Sequence, residues 1–117
     1  SIIFNYYFAM VVFFINDLSE ITRLDAKTGD FIWAVQLPGY LDKDSTRTKE
    51  IVAHHGPILA GGRLIVASSD GKLRQFDPTS GNELLSIRIP GGATTAPIVS
   101  DGTLYVVSKR GELHAFR

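Results

Sequence analysis

The chain has 117 residues, twelve of them basic and twelve acidic, and contains no cysteine. That balance leaves no basic face of the kind that holds a phosphate backbone, so nucleic acid is not an expected partner. Without cysteine, a disulfide framework, a thiolate zinc centre and a cysteine nucleophile are excluded from this segment.

The first sixteen residues, from Ser1 to Asn16, carry no charge and are rich in aromatic and β-branched side chains. The stretch falls short of the roughly 20 apolar residues that a membrane-spanning helix needs, and it lacks the basic start and small-residue cleavage site of a signal peptide. Its composition predicts buried strand. Strands are predicted around Ile2 to Tyr7, Val11 to Ile15, Glu20 to Asp25 and Phe31 to Leu37. In the last of these, Phe31, Trp33, Val35 and Leu37 alternate onto one face. Residues 40–55 break the pattern: Tyr40 to Glu50 is polar, without periodicity, and reads as an inserted loop.

The next strands are predicted at Pro57 to Ala60, Leu64 to Ser68, Leu73 to Asp77 and Glu83 to Ile89. Gly61-Gly62, Asp70-Gly71 and the run Asp77 to Gly81 separate them, and each supplies a residue able to turn the chain tightly. Leu64-Ile65-Val66-Ala67 is apolar throughout, as a strand covered on both faces should be. A third set, Pro97 to Val99, Leu104 to Ser108 and Glu112 to Phe116, ends after three strands. No segment carries a helical period.

These sets are repeats. Sliding the chain by 40 positions lays Pro57–Asp77 on Pro97–Arg117 without a gap, and nine of the 21 pairs are identical, including Gly71/Gly111. A slide of 52 positions lays Val12–Gly39 on Leu64–Gly91, matching Asp25/Asp77, Gly29/Gly81, Pro38/Pro90 and Gly39/Gly91. The longer second slide measures the insertion. A period near 40 residues with four short strands per unit predicts an all-β chain of β-propeller blades, each of four antiparallel strands. The division is a degenerate blade at 1–39, the insertion at 40–55, a complete blade at 56–91 and a last blade lacking its fourth strand at 92–117. Two and a half to three blades cannot close a ring, so the isolated segment is expected to self-associate through its uncovered faces.

The run Leu24-Asp25-Ala26-Lys27-Thr28-Gly29-Asp30-Phe31-Ile32-Trp33 resembles the blade signature of quinoprotein-like propellers. Asp25 is placed to cap the turn, Gly29 to take positive φ, and Trp33 to pack across the blade interface. The second copy, from Asp77 to Leu85, keeps Asp77 and Gly81 but has Leu85 at the tryptophan position. With Gly71 and Gly111 in the hairpins and a terminus reading Gly111-Glu112-Leu113-His114-Ala115-Phe116-Arg117, the chain looks most like the C-terminal part of the BamB family. That resemblance implies an eight-bladed ring, a lipid anchor upstream, and a place on the periplasmic face of the bacterial outer membrane. It also implies binding to the central barrel-inserting subunit, and contact with unfolded outer membrane proteins. Neither a cofactor nor catalysis is implied.

The chemistry-bearing residues read accordingly. Asp17, Asp70 and Asp101 stand at predicted turns as turn formers. His54-His55 lies at the end of the insertion with no third ligand at metal spacing, and a solvated loop is the expected setting; His114 falls in a strand. Ser68-Ser69 and Ser108 lack the glycine-flanked turn of a hydrolase nucleophile. The insertion, with Tyr40, Asp42, Lys43 and Arg47, is the candidate partner-binding loop, since loops on a rigid scaffold vary without cost to the core. A fragment of a quinone-dependent dehydrogenase and an unrelated propeller adaptor are the alternative readings.

Overall fold

A computed structural model describes residues 2–6, 9–43 and 48–117, with side chains over 11–40 and 50–117. Every regular element among them is a β-strand. The first sheet runs β1 (Ile2–Tyr6), β2 (Ala9–Ile15), β3 (Glu20–Asp25) and β4 (Phe31–Gln36), each strand pairing antiparallel with the next. A hairpin of β5 (Tyr40–Lys43) and β6 (Thr48–Ile51) follows. The middle sheet runs β7 (His54–Ala60), β8 (Arg63–Ser68), β9 (Lys72–Phe76) and β10 (Glu83–Arg88). The third sheet has three strands, β11 (Ile98–Ser100), β12 (Thr103–Val107) and β13 (Leu113–Phe116). Tight turns between consecutive strands permit only antiparallel neighbours, which is why each sheet is a meander.

The sheets stack, and the same core is built twice. Between the first and middle sheets lie Phe13, Ile21 and Leu37 against Leu64, Val66 and Phe76, with Val11 beside them. Between the middle and third sheets lie Ile65, Leu73 and Ile89 against Leu104, Val106 and Phe116, joined by Ala67 and Ala93. Every member of the first trio sits 52 positions before its counterpart, and every member of the second trio sits 40 before. The repeat is therefore a repeat of interfaces. In β8 alternate residues point to opposite sides, so Leu64 and Val66 serve one seam while Ile65 and Ala67 serve the other. All four are buried, which explains why this strand has no polar face.

Three expectations are corrected. The insertion is not wholly irregular: Tyr40 pairs with Ile51 and Lys43 with Thr48 across an antiparallel ladder. His54 and His55 belong to β7, three residues ahead of the predicted strand start, because β7 continues its ladder past a register shift to pair His54 with Ser68. Phe31 leaves the face of Trp33, since a bulge at Ile32 opposes Trp33 to Arg23 but Phe31 to Leu24. One extra residue reverses the alternation, and Phe31 stands 65 % exposed. Leu84 is the extra residue at the matching position of β10. The link between β1 and β2, where no glycine marks a turn, falls on residues 7 and 8, outside those described.

Phe13 is almost wholly buried in the first seam, with its ring centroid 6.1 Å from that of Trp33. Phe13→Ala should cost about 3 to 5 kcal/mol of unfolding free energy, and Phe31→Ala should change it by no more than about 0.5 kcal/mol. Urea denaturation of both variants checks the contrast; equal losses would mean that the seam is misplaced.

Candidate functional site

The turns between the third and fourth strands of the first two sheets are duplicates. Asp25 Oδ1 accepts hydrogen bonds from the Lys27 and Thr28 amides at 2.8 and 3.1 Å, as Asp77 Oδ1 does from Thr79 and Ser80 at 2.8 and 3.4 Å. The Gly29 amide donates to Asp25 O at 2.7 Å and the Gly81 amide to Asp77 O at 2.8 Å. Both glycines sit near φ +79°, a region that costs an L side chain about 1 to 2 kcal/mol. Thr28 Oγ1 closes its turn by accepting from the Asp30 amide. Amides aimed at a carboxylate favour its charged form, so Thr28 and Lys27 hold the Asp25 carboxyl below its ordinary range.

These turns bear on the seams. Trp33 reaches from β4 to the turn of the middle sheet, where its Nε1 donates to Pro78 O at 3.1 Å. Arg23 Nη1 donates to the same carbonyl at 2.9 Å while its guanidinium lies 5.8 Å from the Phe13 ring centroid. The indole covers Gly81 so closely that a Cβ there would come within 2.8 Å of Trp33 Cε3. Asp77 thus shapes the turn, Gly81 leaves room, and Trp33 and Arg23 fasten the neighbouring sheet onto it.

At the opposite end of the strands, the inserted hairpin is anchored to the middle and third sheets. Val52 N donates to Gly39 O at 3.0 Å, closing the hairpin base. Ala53 and Ser69 exchange two bonds, Ala53 N to Ser69 Oγ at 2.7 Å and Ser69 N to Ala53 O at 2.8 Å. Glu50 Oε1 lies 3.4 Å from Lys109 Nζ on the third sheet. Tyr40 and Ile51, cross-strand partners, are exposed. Asp42 and Lys43 stand opposite Lys49 and Thr48 in the ladder, whereas Arg47 lies outside the described residues.

His54 is the polar pin of this end. Its Nε2 lies 2.7 Å from Pro38 O and its Nδ1 2.7 Å from Ser68 Oγ. A carbonyl only accepts, so Nε2 carries the proton and Nδ1 accepts from the Ser68 hydroxyl. The ring therefore joins the exit of the first sheet to β8 of the middle one. Burial lowers its pKa, aided by Arg74 and His55 and opposed by the Pro38 carbonyl and Asp70. Nearby, Arg74 grips Asp70 in a bidentate pair at 3.2 and 2.6 Å, with both side chains nearly buried. Burial works against the Asp70 charge, but the hydrogen bonds and charge of Arg74 outweigh it and keep the carboxyl low. The flanking Gly71 returns a backbone bond, its carbonyl accepting from Ile89 N at 2.7 Å; Gly111, its counterpart, closes the β12–β13 turn by donating to Ser108 O at 2.9 Å.

The Ser68–His54 contact has the separation of a nucleophile and its base, but not the arrangement. Ser68 is fully buried in the seam, so no acyl substrate reaches Oγ. The second imidazole nitrogen holds a backbone carbonyl, where a hydrolase would place an orienting carboxylate. Among the described residues no three histidine or acidic side chains gather to hold a metal. Sequence reasoning missed His54 as a pin because Gly56-Pro57 resembles a strand boundary, and it missed Arg23 because its partner is a backbone carbonyl 55 residues away.

Comparison with known proteins agrees with this architecture. The family model described as outer membrane protein assembly factor BamB matches residues 17–117. The curated outer membrane protein assembly factor BamB of Moranella endobia (strain PCIT) is 29% identical over 104 residues, covering 89% of this chain. The chain spans 26% of the length of that relative.

Three variants probe the site. Gly81→Ala combines a strained φ with displacement of Trp33, whereas a Cβ at Gly29 meets nothing; the first should lose at least about 1 kcal/mol more than the second in chemical denaturation. For His54, a pKa below the ordinary 6.5 means that the unfolded chain binds more protons near and below that pH. Its contribution to stability is then complete above pH 6.5 and lost as the pH falls through the folded-state value. Between about pH 7.5 and about pH 5.5 the urea midpoint of the native chain should drop, and that of His54→Gln should drop less. An identical drop would remove His54 from this role. Asp25 and Asp70, both held below the ordinary carboxylate pKa, stay charged across this window.

Proposed function

Because the chain belongs to the outer membrane protein assembly factor BamB family, we propose that it is a non-catalytic scaffold of the machinery that folds β-barrels into the outer membrane. On this reading it works at the periplasmic face, carried there by a lipid anchor elsewhere in the protein. Its docking partner is the central barrel-inserting subunit. Its uncovered blade edges are available to extended client strands through backbone pairing. The adjoining blades of a full ring cover the outer faces of the first and third sheets, where Phe31, Ile98 and Leu113 stand exposed.

The observation that carries the reading is the use of the polar side chains. Asp25, Asp77, Trp33, Arg23, His54 and Arg74 all hold turns or seams. Chemistry needs groups free to meet a substrate; these are spent on rigidity. What the rigid stack presents is the inserted hairpin, tied to the middle and third sheets and displaying Tyr40 and Ile51. A rigid platform that presents a pre-formed loop lowers the ordering cost of binding.

The hairpin tests this. Its base is closed by the Gly39–Val52 hydrogen bond, so replacing residues 40–51 with a two-residue turn leaves the seams in place. The excised variant should melt close to the native protein yet lose about tenfold in capture of the purified barrel-inserting subunit. Full capture by a folded, hairpin-less protein would rule the hairpin out as the docking element.

A further inference from the structure

One corner of the middle sheet carries charge that the fold leaves unanswered. Lys72 and Arg88 are direct partners across the β9–β10 ladder and both are exposed. Like charges placed opposite one another oppose pairing, so the arrangement is not there for the strands. Neither side chain has a hydrogen bond or ion pair among the described residues. Asp70, the carboxylate at this corner, is nearly buried with both oxygens on Arg74. Glu83 faces Arg74 at 3.8 Å, and Glu50 is engaged by Lys109.

The two cations line a groove of about 530 Å³ together with Ser69, Ser86, Gly91 and Asp70, whose charge Arg74 already answers. Arg110 of the third sheet extends its side chain against Gly91, where a Cβ would lie 3.3 Å from Arg110 Cγ. It too is without a side-chain hydrogen bond or ion pair among the described residues. Lys72 and Arg88 thus line the concavity and Arg110 stands beside its lining residue Gly91, in a chain whose net charge is zero, so the excess is local rather than a general basic character. Ser69 is also the residue that ties down the hairpin base, so the groove runs beside the hairpin.

We propose that this groove binds an acidic polypeptide segment, whose carboxylates pair with Lys72, Arg88 and Arg110. The inference rests on the reading that this end of the stack meets a protein partner, and it names the chemistry of the contact. A concave site with Ser69 and Ser86 in its lining fits a chain bearing spaced carboxylates; a flat anionic bilayer would touch only its rim. Arginine adds paired donors suited to a carboxylate.

The test is binding of a fluorescent poly-glutamate peptide to the full chain, read by anisotropy. Binding should saturate and weaken as salt is added. Lys72→Ser/Arg88→Ser should weaken it about tenfold and Arg110→Ser about threefold. Lys27→Ser, at the other end of the strands, should leave it unchanged. Removing a like-charge pair should not lower the melting temperature of the double variant, so a loss of binding reports the site. Equal binding by native and double-variant protein would overturn the proposal. So would absence of saturable binding at about 1 mM peptide, or Lys72- and Arg88-dependent binding to phosphatidylglycerol vesicles in place of the peptide. Peptide binding is measured without the barrel-inserting subunit, so its failure is distinct from failure of the hairpin to capture that subunit.

Discussion

The architecture depends on apolar sheet faces closing against each other, one blade on the next. A side chain such as Leu64 or Val66 gains roughly 1.5 to 3 kcal/mol from complete burial, and each seam gathers six or more of them. No single sheet could retain that gain, because an isolated meander leaves both faces wet. Strand β8 shows the constraint most directly, since it must be apolar on both sides to serve two seams at once. Stability of this kind belongs to neighbours in pairs, as in other repeat proteins.

Burying the seams leaves the strand ends to be satisfied, and polar chemistry is concentrated there. At one end Asp25 and Asp77 collect turn amides, and Trp33 and Arg23 cross the seam to a single carbonyl. At the other, His54 and the Asp70–Arg74 pair perform the corresponding task. These groups act as fasteners because buried donors and acceptors must be paired. A nucleophile–base geometry can therefore arise, as at Ser68 and His54, without any reaction attached to it.

Rigidity at both ends gives the surface its character. The insertion tolerates an added hairpin because its two ends are already adjacent at Gly39 and Val52, so extra residues cost the core nothing. Charges that the seams do not consume, at Lys72, Arg88 and Arg110, remain available to a partner. Membership of the BamB family and the proposed contact surface rest on unrelated observations.

What the sequence by itself determined was the repeat, and through it the strands, the turns and the doubly covered β8. Alternation and glycine spacing are local, so they survive in one dimension; Asp25, Gly29, Asp77 and Gly81 could be assigned to turns from neighbours within five residues. Tertiary structure alone decided what those neighbours could not encode. A bulge at Ile32 turned Phe31 away from Trp33, and a ladder running past Gly56-Pro57 drew His54 out of the insertion and into a seam. Pairing across strands brought Lys72 face to face with Arg88. Each of these outcomes depends on which backbone lies alongside, and register between strands is a property of the assembled sheet rather than of any segment within it.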